Sequence, residues 1–410
     1  MSGILNTTGA VSGILGKSVL PAGVTGGSGL TAVNAANIAS GVLPVGVTGG
    51  SGLDASPLNG RNMIINGAFQ VFQRATGATA ATGVYHTADH WAQQETSDGA
   101  YTSEKHAMSL ADINTTGHSN AIELNVTTAD GTIGAGQLGL IKQKVEAQNC
   151  QHLQWGTAAA KDVTLSFWVK SKIAGSYFVM LQKSDSTAYY INREYTINDA
   201  DTWEHKTITT TPTAGSTTLI TGAGGIIAND NGIGINVSFV LFAGSNFHAT
   251  TNTWATAEDY ATSDQVNWMS STSNDFYLTG VQFEAGSVAT PFEHQTYDEV
   301  ENRCLRYYNV IGGTSRMAAS AFGSTGTTFS YSTNVRLRAQ PSLVHLGTTA
   351  HRTYRGATQS FDASTTDMTI GDIKGDFVNI NAPGYDALTD NRGYTVHFTG
   401  DYQVGLEAEI

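Results

Sequence analysis

The chain has 410 residues, of which only 13% are charged, with 46 glycines against 7 prolines. Soluble domains usually carry about 25% charged residues, and a chain rich in Gly, Thr and Ser suits turns and strands rather than helix interiors, so an all-β protein is expected. The 34 acidic and 21 basic residues leave a formal charge of -13, which disfavours non-specific binding to nucleic acid or an anionic membrane, because both need a basic field.

The length allows two or three domains, and 40% hydrophobic residues suffice for their cores. Cys150 and Cys304 match no metal-ligand spacing and read as free thiols, expected of folding in a reducing cytoplasm. The N-terminus lacks the charged and apolar regions of a signal peptide, and its first charge is Lys17. No apolar run reaches the roughly 18 residues that a membrane helix needs.

Residues 1–60 form the first segment, with Lys17 and Asp54 as their only charges. LPAGVTGGSGL begins at Leu20 and LPVGVTGGSGL at Leu43, a repeat with a period of 23 residues. So short a unit cannot bury Val24, Leu30, Val47 and Leu53 by itself, so stacking or association between chains is expected. The alternative is a flexible Gly/Ser leader.

Residues 61–296 contain all 6 tryptophans and read as one antiparallel β-sandwich. In VTLSFWVK, Val163, Leu165, Phe167 and Val169 alternate with Thr164, Ser166, Trp168 and Lys170. INVSFVLF, with Ile235, Val237, Phe239 and Leu241 on one face, and FYLTGVQFE, from Phe276, are further strands. Residues 297–410 open with the one clear helix signal. Thr296 and Glu299 form a capping box, and Val300, Cys304 and Tyr307 or Tyr308 form its apolar stripe. Strand patterning then returns and ends in Tyr394/Val396/Phe398 and Tyr402/Val404/Leu406/Ala408/Ile410.

Catalytic and nucleotide-binding patterns fare poorly. Gly16-Lys17-Ser18 has Val11 where a phosphate-binding loop needs Gly, and the Gly222–Gly225 stretch lacks a dinucleotide fingerprint. Asp89 beside His90, or Glu284 with Glu293, could be drawn as catalytic pairs, but no recognised hydrolase motif supports either. The 11 histidines show no metal spacing, and Asp199, Asp201 and Glu204 suit a turn better than a calcium loop. Aromatics on a polar sheet face suit stacking against sugar rings. Trp168, Tyr189, Tyr190, Arg193, Trp254 and Trp268 are therefore the candidate carbohydrate-binding residues, against the plain alternative that each is core.

NMIINGAFQVFQR (Asn62 to Arg74), TADHW ending at Trp91, and the run from Phe276 to Tyr308 resemble bacteriophage tail-fibre proteins, as does the terminal YQVGLEAEI. LTAVNAANIASGVLPVG is similar to fibre-shaft repeats, while LSFWVKSKIAGSYFV and DTWEHKTITT resemble jelly-roll carbohydrate-binding modules. The resemblance implies a homotrimeric fibre. Residues 1–60 would attach to a virion protein, 61–296 would form a jelly-roll carbohydrate-binding domain, and 297–410 would supply a connecting helix and a trimerising β-tip. It implies binding of a host surface glycan, with no nucleic-acid partner, membrane insertion or cofactor. Such modules often hold calcium through acidic residues, but the matching positions here are Gln70 and Thr279-Gly280, so no calcium site carries over. The alternatives are a structural virion fibre without a receptor site and a polysaccharide depolymerase.

Overall fold

A computed structural model of the chain describes residues 60–409, apart from 78, 81–84, 313–315, 347–351, 356–358, 363–367, 386–387, 389–392 and 399–402. The repeat segment lies outside the described residues, as do Tyr402 and Ile410 of the last expected strand.

The first part of the described chain is a sandwich of two antiparallel sheets. Its strands are β1 (Thr79–Ala80), β2 (Ala92–Glu95), β3 (Ala100–Ala107), β4 (Asn120–Thr128), β5 (Leu138–Glu146) and β6 (Val163–Ser171). They continue with β7 (Gly175–Lys183), β8 (Tyr189–Ile197), β9 (Glu204–Thr210), β10 (Ile233–Ala243) and β11 (Asp275–Ala285). One sheet runs β1-β3-β4-β11-β6-β9 and the other β2-β5-β10-β7-β8. Period-two alternation sends Val163, Leu165, Phe167 and Val169 inward against Ile235, Val237, Phe239 and Leu241, all buried in one core. Phe69 and Trp91 stack within that core at 5.0 Å, and fully burying such side chains contributes about 1.5–3 kcal/mol each.

A short helix that the sequence reading did not anticipate, Leu110–Thr116, joins β3 to β4. Ser109 Oγ accepts the Asp112 N–H at 3.2 Å, and Gly117, at φ 79°, ends the helix. The anticipated helix is present as Tyr297–Leu305, with the Glu299 carboxylate accepting the Thr296 N–H at 2.9 Å. Its Val300 and Cys304, with Tyr307, pack on Ile65 and Val71. Cys150 and Cys304 are free and buried, and burial pushes the Cys150 thiol up to about 12.

Beyond the helix lie β12 (Tyr308–Gly312), β13 (Arg316–Phe322), β14 (Gly326–Ser332), β15 (Ser342–Leu346) and β16 (Arg352–Arg355). β17 (Gln359–Asp362), β18 (Thr369–Lys374), β19 (Phe377–Pro383), β20 (Gly393–His397) and β21 (Gln403–Glu407) follow. They form a three-stranded sheet, β12-β21-β15, and a seven-stranded one, β17-β16-β20-β13-β14-β19-β18. Their core is separate and includes Phe329, Ile380, Val396, Phe398, Val404 and Leu406.

A buried polar seam joins this region to the sandwich. Arg74 lies over the Tyr308 ring at 3.6 Å and reaches Glu407 at 3.2 Å and Glu409 at 3.3 Å. His90 stacks on Tyr307 at 3.8 Å and meets Glu409 at 2.8 Å, while Asp89 accepts hydrogen bonds from Gln73. The Asp89–His90 dyad is thus part of the seam, buried beneath the tail. Among the described residues no helix is long and apolar enough to cross a membrane, and no group of His, Cys, Asp and Glu is arranged to hold a metal ion.

Candidate functional site

The outer face of the six-stranded sheet is interrupted at β11. That strand pairs with β4 only from Asp275 to Leu278, and its pairing with β6 slips between Thr279 and Gln282. The slip is a bulge carried by Gly280, at φ +59°. Past the bulge the Asn62–Gly67 segment replaces β4 as neighbour: Val281 N–H donates to Gly67 O at 2.9 Å, and Met63 N–H to Phe283 O at 2.9 Å. Asn62 ties both edges, accepting from Phe283 N–H at 3.0 Å and donating to Val281 O at 3.1 Å.

The segment after β11 then folds back over this face. Glu284, fully buried, accepts from Thr290 N–H at 2.9 Å and from its hydroxyl at 2.7 Å. Gln282 Oε1 accepts from Glu293 N–H at 2.8 Å, and the Glu293 carboxylate accepts from the Gly60 and Asn62 N–H groups. Glu284 and Glu293 therefore hold the wall that carries Phe292 and His294.

Between that wall, β6, β9 and the turn before β4 is a groove of about 520 Å³, within the usual range for small-molecule sites. Half-buried Trp168, from β6, lies on its floor beside His205 of β9, ring centres 5.1 Å apart. The β6–β9 register places these two residues opposite each other. His118 stacks against His294 at 5.5 Å and meets the Phe292 edge at 4.7 Å. His118 and Trp168 converge over Gly280: a Cβ there would collide with His118 Nε2 and stand 3.1 Å from Trp168 Cδ1. Thr116 and Ser166 add hydroxyls to the lining.

Among the described residues no Asp or Glu side chain lines this groove. Burial, reinforced by His294 and His205, holds the His118 imidazole down to about 4. Burial also lowers His205. Farther along the same face the charges are matched. Glu123 meets His106 at 2.8 Å and accepts the Tyr277 hydroxyl at 2.8 Å, and Lys170 lies over Tyr277 at 4.1 Å. The groove thus offers an aromatic surface, hydroxyls and imidazoles, the groups that meet a sugar ring's apolar face and its polar edge.

The six residues singled out from sequence do not form one site. Trp168 lies in the groove. Tyr190 sits on the outer face of the other sheet, against the Leu140 and Phe178 cluster, its hydroxyl accepting from Gln182 at 3.4 Å. Arg193 shares the inward parity of β8 and reaches Thr210 Oγ1 at 3.4 Å. Tyr189, Trp254 and Trp268 are corrected to core. Trp254 is 2% exposed and Trp268 0%, their indole N–H groups donating to Thr211 O at 2.9 Å and Asp275 O at 3.0 Å. Tyr189 is buried with its ring 5.7 Å from the Lys183 ammonium. The turn at Asp199 to Glu204 is closed by Glu204 accepting the Asn198 N–H at 2.7 Å and the Asp199 N–H at 2.9 Å. His118, His205, Phe292 and His294 were not singled out from sequence, because the groove draws them from three separate segments. Only His205 had a usable signal, its place opposite Trp168 once β6 and β9 are paired.

The described fold defines an all-β protein with a two-sheet sandwich. No protein-family model matches the chain, and no curated protein sequence matches it. Among solved structures it is similar to a putative sugar binding protein from Bacteroides thetaiotaomicron, at 12% identity and a TM-score of 0.31, over 55% of this chain and 99% of that one. It is also similar to the enzymatically active domain of tailspike protein 4 of bacteriophage CBA120, at 11% identity and a TM-score of 0.28. That match covers 55% of this chain and only 21% of the tailspike chain. A family 11 carbohydrate-binding module from Clostridium thermocellum, in complex with a β-1,3-1,4-mixed-linked tetrasaccharide, matches at 10% identity and a TM-score of 0.25, over 53% of this chain and 99% of that one. Likeness at this level leaves the function to be read from the residues of the groove.

Proposed function

We propose that this chain is a bacteriophage fibre adhesin that binds bacterial surface polysaccharide in the groove around Trp168. The observation that carries the reading is the groove itself, a half-buried indole beside three imidazoles in about 520 Å³ of space. The resemblance of Asn62–Arg74 and Phe276–Tyr308 to tail-fibre segments supports the virion setting. In this reading residues 1–60 join the chain to the virion, three chains associate, and the protein is made in the host cytoplasm. Repeated grooves on one particle turn weak single-site affinity into firm attachment, because later contacts are effectively intramolecular. Binding without cleavage fits the use of Glu284 and Glu293 as wall supports.

Affinity electrophoresis of the full chain through gels containing surface polysaccharide from candidate hosts tests this. Retardation that persists on long incubation is expected for at least one host, with Trp168→Ala binding at least tenfold more weakly. Equal retardation of Trp168→Ala would remove the groove from the reading, and no retardation with any host would favour a purely structural fibre.

A further inference from the structure

The groove has a chemical bias that a generic sugar site does not need. His118, His205 and His294 come from the turn before β4, from β9 and from the segment after β11, yet they gather around one indole. Among the described residues their ring nitrogens make no hydrogen bond to protein, and His118 is 4% exposed. Among the described residues no Asp or Glu belongs to this lining.

We propose that the groove selects a saccharide carrying a carboxylate, whose oxygens are met by the imidazoles of His118, His205 and His294 beside the Trp168 ring. The proposal rests on the glycan-binding reading above and narrows its substrate class to acidic sugars. A neutral hexose would use the indole and hydroxyls but would leave the imidazoles without a charge to answer. The overall negative charge opposes an acidic polymer only over distance, and physiological salt screens that field beyond about 8 Å.

The charged groups around the imidazoles are each held by a partner of their own. Glu284, behind the wall, faces Arg61 at 3.8 Å. Glu293 is held by two backbone N–H groups. On β9, Glu204 pairs with Lys206. On β4, Glu123 pairs with His106, and on β6 Lys170 lies over Tyr277. In the helix before His118, Asp112 accepts from Ser109. Burial holds the His118 imidazole neutral near pH 7, so a bound carboxylate that favours the imidazolium draws a proton from solvent. Affinity then rises as pH falls, by up to tenfold per pH unit for each proton taken up.

The test uses the full chain and purified surface polysaccharides, acidic and neutral, each acidic one also in carboxyl-reduced form. Titration calorimetry at pH 7.5 and 5.5 is expected to show binding to an acidic polysaccharide, at least tenfold tighter at pH 5.5. Carboxyl reduction should abolish both that affinity and its pH dependence. The triple variant His118→Gln, His205→Gln, His294→Gln, checked for folding by near-ultraviolet circular dichroism, should bind with no pH dependence. A bound polysaccharide that is neutral, or whose affinity survives carboxyl reduction, would overturn the acidic selectivity while leaving the adhesin reading intact. Binding of any polysaccharide that is unchanged by Trp168→Ala would overturn both.

Discussion

Gly280 and Trp168 share one small space: a Cβ on residue 280 would stand 3.1 Å from Trp168 Cδ1 and collide with His118 Nε2. The bulge that lets β11 change neighbours is therefore also what seats the indole and the imidazole together. Gly280→Ala places a side chain at φ +59° and into both rings. The expected outcome is a loss of more than about 1 kcal/mol of stability, since Ala at positive φ adds strain to the clash. Denaturant melts measure that loss, and the polysaccharide gels should show weakened retardation in the fraction that folds.

The seam between sandwich and tail makes a second prediction. Arg306 forks onto Glu146, with Nε to Oε1 at 2.9 Å and Nη2 to Oε2 at 3.0 Å, and the Glu146 side chain is 0% exposed. Burial raises the Glu146 pKa, but hydrogen bonds from Arg306, Tyr307 and Gln148, together with the Arg306 charge, outweigh it and hold the carboxylate below its usual range. Arg306→Ala strands that charge, and removing one partner of a buried pair costs about 3–5 kcal/mol. Double-mutant melts with Glu146→Gln should recover a large part of the loss. Strict additivity would show that the pair is uncoupled.

Lys183 supplies a third. It is 0% exposed, and its ammonium donates to the carbonyls of Asp185, Thr187 (3.1 Å) and Gly224 (2.8 Å). Burial lowers its pKa, opposed by Asp185. The ammonium thus cross-links two loops as a bound cation would. Lys183→Met keeps much of the stem but abandons the carbonyls, and should lower stability by at least about 2 kcal/mol, the cost of leaving buried acceptors unmet. A melting curve matching the parent's would refute the cross-link.

Proton linkage at His118 makes a fourth. Its folded-state pKa, about 4, lies below the ordinary 6.5, so its neutral form is the one the fold favours. The stability this contributes is present above pH 6.5 and is lost as pH falls from there towards 4. Asp89 acts in the opposite sense: burial raises it to about 6, so its contribution is present at low pH and is lost as pH rises through 6. Comparing His118→Gln with the parent isolates the histidine. The parent should lose more of its denaturant midpoint between pH 6.5 and 4 than the variant does, and parallel curves would count against the shift.

The sequence by itself determined the all-β class and the inward faces of a few strands. Alternation sufficed for one face of β6 and of β10, where Val163 to Val169 and Ile235 to Leu241 do pack inward into one core. The capping box at Thr296 was equally readable, since every interaction it needs lies within four residues. The short helix at Leu110–Thr116 was not, as seven residues hold too little periodicity to stand out from a loop. Only the tertiary structure decided which aromatics face solvent. Trp168 lies on an alternating strand whose parity exposes it, whereas Trp254 and Trp268 lie in irregular segments, where no period says which way a ring points. The groove was hidden for a deeper reason. Its imidazoles come from positions 118, 205 and 294, and their meeting depends on strand pairing and on one bulge at Gly280, both of which follow from contacts between segments far apart in the chain.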